Sequence, residues 1–257
     1  MNPINLITDG YERKARLYPA LLLVAPVVIT IVGVASAKSS ALESFGTAVA
    51  GCGGAFLMTQ LARDAGKQRE KSLFEAWGGL PSVAVFRHRD GRIDAITKAR
   101  YHKHLAALVK GAKAPSREEE AADPATADQV YGAWSSYLRV HTRDTKKYPL
   151  VFHENVSYGY RRNVCGLRPF GIVVSALSLA GGGVWLYHLY STTGTVSKES
   201  VGALLCVLVI LLLWAFRFTP GWVRIPADAY AERLAEAVDS INSGSPSSKA
   251  RTKKGTA

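Results

Sequence analysis

The chain has 257 residues, of which 48% are hydrophobic, and it carries a formal net charge of +12. A helix needs about 20 apolar residues to cross a hydrocarbon core of about 30 Å. Four segments have no charged residue and approach or exceed that length: Leu17–Ala37, Ser44–Ala62, Pro169–Ser197 and Ser200–Phe216. The composition therefore excludes an ordinary soluble globular protein, and three cysteines without a C-x-x-C pair exclude a disulfide scaffold.

These uncharged segments predict an all-α membrane protein with four transmembrane helices arranged as two hairpins. The predicted spans are Tyr18–Ala37, Leu42–Ala62, Phe170–Tyr190 and Val201–Phe216. An alternative concerns the first span, because residues 35–37 have the small-x-small form of a signal-peptidase site. Cleavage there, after Ala37, would not invert the other three spans.

The distribution of lysine and arginine predicts the orientation of the spans. Of the 32 basic residues, 30 precede the first span, lie between the second and third, or follow the fourth. The two short connections inside the hairpins hold one each, Lys38 and Lys198. Positively charged flanks remain in the cytoplasm. We therefore expect a multi-pass protein of the cytoplasmic (inner) membrane, with both termini and the central segment in the cytoplasm.

This topology divides the chain into six segments. Residues 63–168 form a mainly helical, basic cytoplasmic domain inserted between the second and third spans, with 20 basic and 12 acidic residues. The other segments are an amphipathic cytoplasmic leader (1–17), the two hairpins (18–62 and 169–217), an amphipathic cytoplasmic helix (218–242) and a disordered tail (243–257).

The start of the central domain combines one clear prediction with one open alternative. The second span is expected to continue as a helix to Trp77, because Gly78, Gly79 and Pro81 follow and break it. Residues 82–96 fit either a strand hairpin turning at an Asp-Gly pair or a short helix.

Capping signals place the next helices. Residues 101–109 have an apolar stripe at helical spacing. Ser116 and Glu119 have the spacing of a capping box, and Asp123 followed by Pro124 predicts the start of a longer helix. One face of that helix is apolar and includes Ala127, Val130, Tyr131, Trp134, Leu138 and His141.

Two further helices connect the central domain with the spans. Residues 149–166 predict a helix that leads into the third span and is broken near Pro169. After the fourth span, Pro226–Asn242 has an apolar stripe containing Tyr230, Leu234 and Ile241. We expect this stripe to dock on the central domain.

Small residues inside the spans indicate helix packing. Gly46, Ala50 and Gly54 recur every four residues, which is the pattern that lets membrane helices approach closely. Ser178 and Gly182 of the third span could supply a facing small surface. These five residues are the predicted helix-packing positions.

Motifs that resemble catalytic or metal sites are incomplete. His88-Arg89-Asp90 lacks the leucine and asparagine that follow a kinase catalytic triplet. His102 and His104 lie two apart, so a helix would point them to different faces. His153-Glu154 has no second histidine at zinc-protease spacing. We therefore predict no catalytic, cofactor-binding or metal-binding residues and no cofactor.

Basic residues next to the spans indicate a lipid partner. Juxtamembrane lysine and arginine attract anionic lipids by about 1 kcal/mol each, and the absence of a nucleic-acid motif disfavours a nucleic-acid partner. The predicted headgroup-contacting residues are Arg63, Lys67, Arg161, Arg162, Arg168 and Arg217. We also expect a homo-oligomer, or another membrane or cytoplasmic protein as partner.

Three functions fit these features. The first is a non-enzymatic membrane protein that acts as an anchor, sensor or effector through its cytoplasmic domain and self-association. The second is an oligomeric channel or membrane-permeabilising effector. The third is an enzyme that acts on lipid headgroups at the membrane surface. The span interiors contain no Asp, Glu, Lys or Arg, and His188 lies near the outer end of the third span, which disfavours a proton pump or secondary transporter.

Overall fold

The structure is a computed structural model that describes residues 10–34 and 54–241. These residues form helices and connecting turns without any strand, which confirms the all-α prediction for the described part of the chain. The elements are a helical turn at Gly10–Glu12, π1 (Arg13–Leu17), α1 (Tyr18–Val34), α2 (Gly54–Ala76), α3 (Pro81–Ala84), α4 (Ala95–Leu108), α5 (Arg117–Ala122), α6 (Pro124–His141), α7 (Pro149–Thr193), α8 (Lys198–Leu212), π2 (Leu213–Arg217) and α9 (Pro220–Ile241).

Three helical segments of the described chain are long and apolar enough to cross a membrane: Gly10–Gly33, Pro149–Thr193 and Lys198–Arg217. Large apolar side chains on them stay exposed in the isolated chain, such as Leu177 and Phe216, as expected of helices solvated by lipid. Residues 42–53 of the predicted second span lie outside the described residues, so four spans in two hairpins stay a prediction.

The predicted break near Pro169 is wrong. Helix α7 is continuous over 45 residues and contains Pro169 in its interior. A proline removes one backbone donor while its φ suits a helix. Helices that cross membranes tolerate this loss where neighbouring groups satisfy the freed carbonyl.

The described chain forms two compact units. One, here called the span unit, comprises residues 10–76 with the gap at 35–53 and residues 155–226. The other, here called the head unit, comprises residues 77–154 and 227–241. The six-segment division remains a prediction, because these units group residues by packing and not by side of a membrane.

Aromatic and aliphatic side chains from three regions of the chain form the core of the head unit. Trp134 and Tyr131 of α6 pack in one cluster with Leu105 of α4 and with Leu234 and Val238 of α9. All five are buried. The predicted docking of the C-terminal helix on the central domain is therefore confirmed, and α9 begins at Pro220, before the expected Pro226.

Turn and capping signals in the head unit act as the sequence indicates. Helix α2 ends at Ala76, and the turn after it contains Gly78 and Gly79, whose φ values of +76° and +126° favour glycine. Residues 82–96 contain the C-terminal part of the short helix α3 and turns, so the helical alternative holds and the hairpin is wrong. The capping box of Ser116 and Glu119 is formed.

Candidate functional site

Helix α7 contributes three polar side chains to the interior of the span unit, and α2 contributes a fourth. This cluster, here called the polar junction, consists of Glu70, Arg162, Asn163 and Arg168. Arg162 is 8% exposed, and its guanidinium forms an ion pair with Glu70 and donates to Asn163 Oδ1 at 3.0 and 3.1 Å. Since a buried charge is costly without partners, these contacts are what allows an arginine inside the helix packing.

The polar junction also satisfies carbonyl groups of the two π-helical segments. Asn163 Nδ2 donates to the carbonyl of Ala15 in π1 at 2.7 Å. Arg168 donates to the carbonyls of Trp214 at 3.1 Å and Ala215 at 2.7 Å, both in π2. A π-helical turn departs from the regular i to i−4 bonding pattern, so side chains of α7 cap carbonyls in both segments.

Close backbone contact between α2 and α7 surrounds this junction. A Cβ atom on Gly166 would lie 2.4 Å from the carbonyl carbon of Ala65, and one on Gly66 would lie 2.1 Å from Asn163 Oδ1. Neither glycine belongs to the predicted small-residue motif. The available sequence signal was the seven-residue spacing of Gly159 and Gly166 on a helix that also carries Asn163.

The predicted helix-packing residues are only partly described. Gly46 and Ala50 lie outside the described residues, and Gly54 is the first residue of α2. Gly182 lies in a tight contact, because a Cβ there would lie 2.5 Å from Leu204 Cδ2 and 3.1 Å from Thr30 Cγ2. Ser178, one turn earlier on α7, is half-buried. A packing role for the whole set stays a prediction.

The predicted headgroup residues differ in their surroundings. Lys67 and Arg217 are exposed, Arg63 is half-buried, and the guanidinium groups of Arg161 and Arg217 lie 5.0 and 5.2 Å from the Trp222 ring centroid. Arg162 and Arg168 bond to groups inside the protein, as described above. Lipid contact remains a prediction for this set, and Lys67 and Arg217 are the members best placed for it.

The head unit contains a cleft with a volume of about 430 Å³. The turn before α4, the first turns of α4 and the first residue of α5 line it, and we call it the basic cleft. Its charged or titratable members are His88, Arg89, Asp90, Asp94, Lys98 and Arg117. The incomplete His88-Arg89-Asp90 triplet thus lies at the cleft, although nothing in the geometry resembles a kinase site.

Lys98 is the buried cation of the basic cleft and is 4% exposed. Its ammonium group donates to the carbonyls of Arg87, at 2.8 Å, and Asp90. Burial lowers the pKa of Lys98, while the negative charges of Asp90 and Glu120 oppose that shift. An ammonium has three donors, so one N–H is left over after these two bonds.

A pair of histidines lies behind the cleft. The rings of His88 and His102 are 4.8 Å apart between centroids, a pairing that sequence analysis missed because 13 intervening residues separate them. His102 Nε2 lies 2.7 Å from the carbonyl of Phe86, so that nitrogen carries the hydrogen. Burial lowers the pKa of His102 to about 4, which keeps the ring neutral at physiological pH.

Glu120 connects the histidine pair with the core. Its carboxylate accepts the backbone N–H of His88 at 2.7 Å and the hydroxyl of Tyr131 at 2.7 Å. Within residues 10–34 and 54–241, no group of three histidine, cysteine or acidic side chains could hold a metal ion. The hydrogen bonds of His88, His102 and Glu120 hold these three side chains in place behind the cleft.

No known protein family, curated protein or solved structure matches this chain.

Proposed function

We propose that this chain is a non-enzymatic, multi-pass protein of the cytoplasmic membrane that acts as an anchor, sensor or effector through its head unit and through self-association. The observation that carries the proposal is the presence, in one chain, of three apolar helices of membrane-spanning character and a head unit with its own buried aromatic core. The apolar helices would hold the protein in the bilayer, and the head unit would make the functional contacts.

Anionic lipid is the proposed membrane partner. Tryptophan and arginine are both favoured at the membrane surface, where their apolar parts can lie against hydrocarbon while the indole N–H and the guanidinium remain in contact with water. Trp222 with Arg161 and Arg217 has this composition, and Phe216 beside them is exposed. This arrangement supports a position of the α8–α9 connection at the headgroup level of the cytoplasmic leaflet.

Cysteine accessibility tests the proposed orientation. In a variant without Cys52, Cys165 and Cys206, a membrane-impermeant thiol reagent should label Thr193→Cys in intact cells. It should label Lys146→Cys, an exposed position of the head unit, only after permeabilisation. Labelling of Lys146→Cys in intact cells would overturn the cytoplasmic placement of the head unit.

Ion flux tests the non-channel part of the proposal. The purified full chain in liposomes should give no conductance above that of empty liposomes, over a range of protein-to-lipid ratios that includes self-associated forms. A conductance that rises with the amount of protein would overturn the anchor proposal in favour of a channel or permeabilising effector.

A further inference from the structure

We propose that the basic cleft of the head unit binds a soluble phosphate monoester, with the phosphate at Lys98, Arg89 and Arg117. This inference deepens the sensor form of the proposed function by naming the ligand class. The binding test below uses the purified chain, so its failure would leave the topology and flux results untouched.

The charge balance of the cleft favours an anion, because three cations and two carboxylates line it. The Asp90 carboxylate accepts hydrogen bonds from the Arg92 backbone N–H at 3.0 Å and from Arg92 Nη2 at 2.7 Å. The Asp94 carboxylate accepts from the backbone N–H of Thr97 as the cap of α4. Both aspartates are thus engaged by other donors, and the cations Arg89, Lys98 and Arg117 line the same cleft.

The donor geometry favours a phosphate. Lys98 lines the cleft, and two carbonyls hold its ammonium group in place while using two of its three donors. Arg89 and Arg117 are exposed at the rim, and a guanidinium offers two parallel donors that suit phosphate oxygens. A phosphate dianion can accept from all three side chains, whereas a carboxylate has one negative charge and only two oxygens.

The apolar part of the lining favours an ester over inorganic phosphate. Ile93, Ala95 and Ala99 line the cleft together with the cations, and its volume of about 430 Å³ lies within the range of small-molecule sites. An organic group attached to the phosphate would therefore lie against these three side chains and remove their surface from water.

Phenyl phosphate is the probe. The full chain, in nanodiscs of neutral lipid, is titrated with phenyl phosphate by calorimetry, and inorganic phosphate and benzoate serve as comparison ligands. We expect saturable one-site binding of phenyl phosphate, at least tenfold tighter than binding of either comparison ligand. Absence of saturable binding, or equal binding of benzoate, would overturn the proposal.

Charge-removing variants locate the site. Arg117→Gln should weaken phenyl phosphate binding by about tenfold, the loss expected for one charge-assisted contact. Arg143→Gln removes an exposed arginine outside the cleft and should bind like the unchanged chain. Both positions are exposed, so folding should be preserved. Equal affinity of the two variants would show that the cleft is not the site.

The lipid headgroup is the other source of the same phosphate chemistry. Titrations are repeated in nanodiscs that contain phosphatidylglycerol. Unchanged affinity for phenyl phosphate supports a soluble ligand. A loss of affinity in these discs that the Arg117→Gln variant does not show would assign the cleft to the lipid phosphate and overturn the proposed ligand.

Discussion

Acidification should destabilise the head unit through His102. This side chain is 5% exposed, and its ring lies 5.0 Å from Trp134 and 5.6 Å from Tyr131 between centroids. Burial is the main cause that lowers its pKa to about 4, the nearby His88 and Lys98 lower it further, and the bond to Phe86 and the charge of Glu120 oppose the shift. Protonation would place a positive charge in this apolar environment.

The size of the effect follows from the two pKa values. In the unfolded chain the His102 imidazole titrates near 6.5. Between pH 6.5 and about 4 the unfolded state binds more protons, so the free energy of unfolding falls as the pH falls. At 1.36 kcal/mol per pH unit, His102 should contribute a loss of about 2 kcal/mol between pH 6.5 and 5. The full loss, reached below about pH 4, is about 3 kcal/mol.

Pulse proteolysis in urea can measure this loss on the full chain in detergent. His102→Gln keeps a donor for the Phe86 carbonyl but does not titrate, so it should lower stability at pH 7 and remove most of the slope between pH 6.5 and 5. His141→Gln changes an exposed histidine of α6 and should keep the slope of the unchanged chain. An equal slope in His102→Gln and the unchanged chain would refute the assignment to His102.

Two substitutions test the helix packing of the two units. Leu234→Asp would bury an unpaired carboxylate at a position that is 1% exposed, which should cost several kcal/mol and make residues 77–154 sensitive to protease in inverted vesicles. Leu234→Met, which conserves apolar volume, should remain resistant, and equal resistance of both would contradict docking through α9. Gly166→Ala should lower the free energy of unfolding of the detergent-solubilised chain by about 2 kcal/mol, because the new Cβ would meet the backbone of Ala65. Gly181→Ala has nothing within 4 Å of the new Cβ and should be tolerated, so a similar loss in both would show that α2 and α7 do not touch at Gly166.

Local chemistry made much of the helical framework predictable. The apolar helices follow from long uncharged runs, since transfer of such side chains from water to lipid depends on composition alone. The C-terminus of α2 follows from Gly78 and Gly79. The N-terminus of α5 follows from the capping box at Ser116, and that of α6 from Asp123 before Pro124. Each of these signals acts within about four residues, which is the range over which a helix end is decided.

Contacts between distant residues decided what the sequence alone left open or misplaced. Residues 82–96 have no periodicity long enough to separate helix from strand, and packing against α6 and α9 selects the helical form. Arg162 and Arg168 look like surface cations in the sequence. In the structure Arg162 pairs with Glu70, and Arg168 donates to carbonyls of π2, so both belong to the polar junction. Sequence alone therefore determined an all-helical chain with membrane-spanning segments. The polar junction exists only in the tertiary structure, because it joins Glu70 to residues more than 90 positions later in the chain. The basic cleft is built mostly from residues 88–99, and the fold adds Arg117 to them.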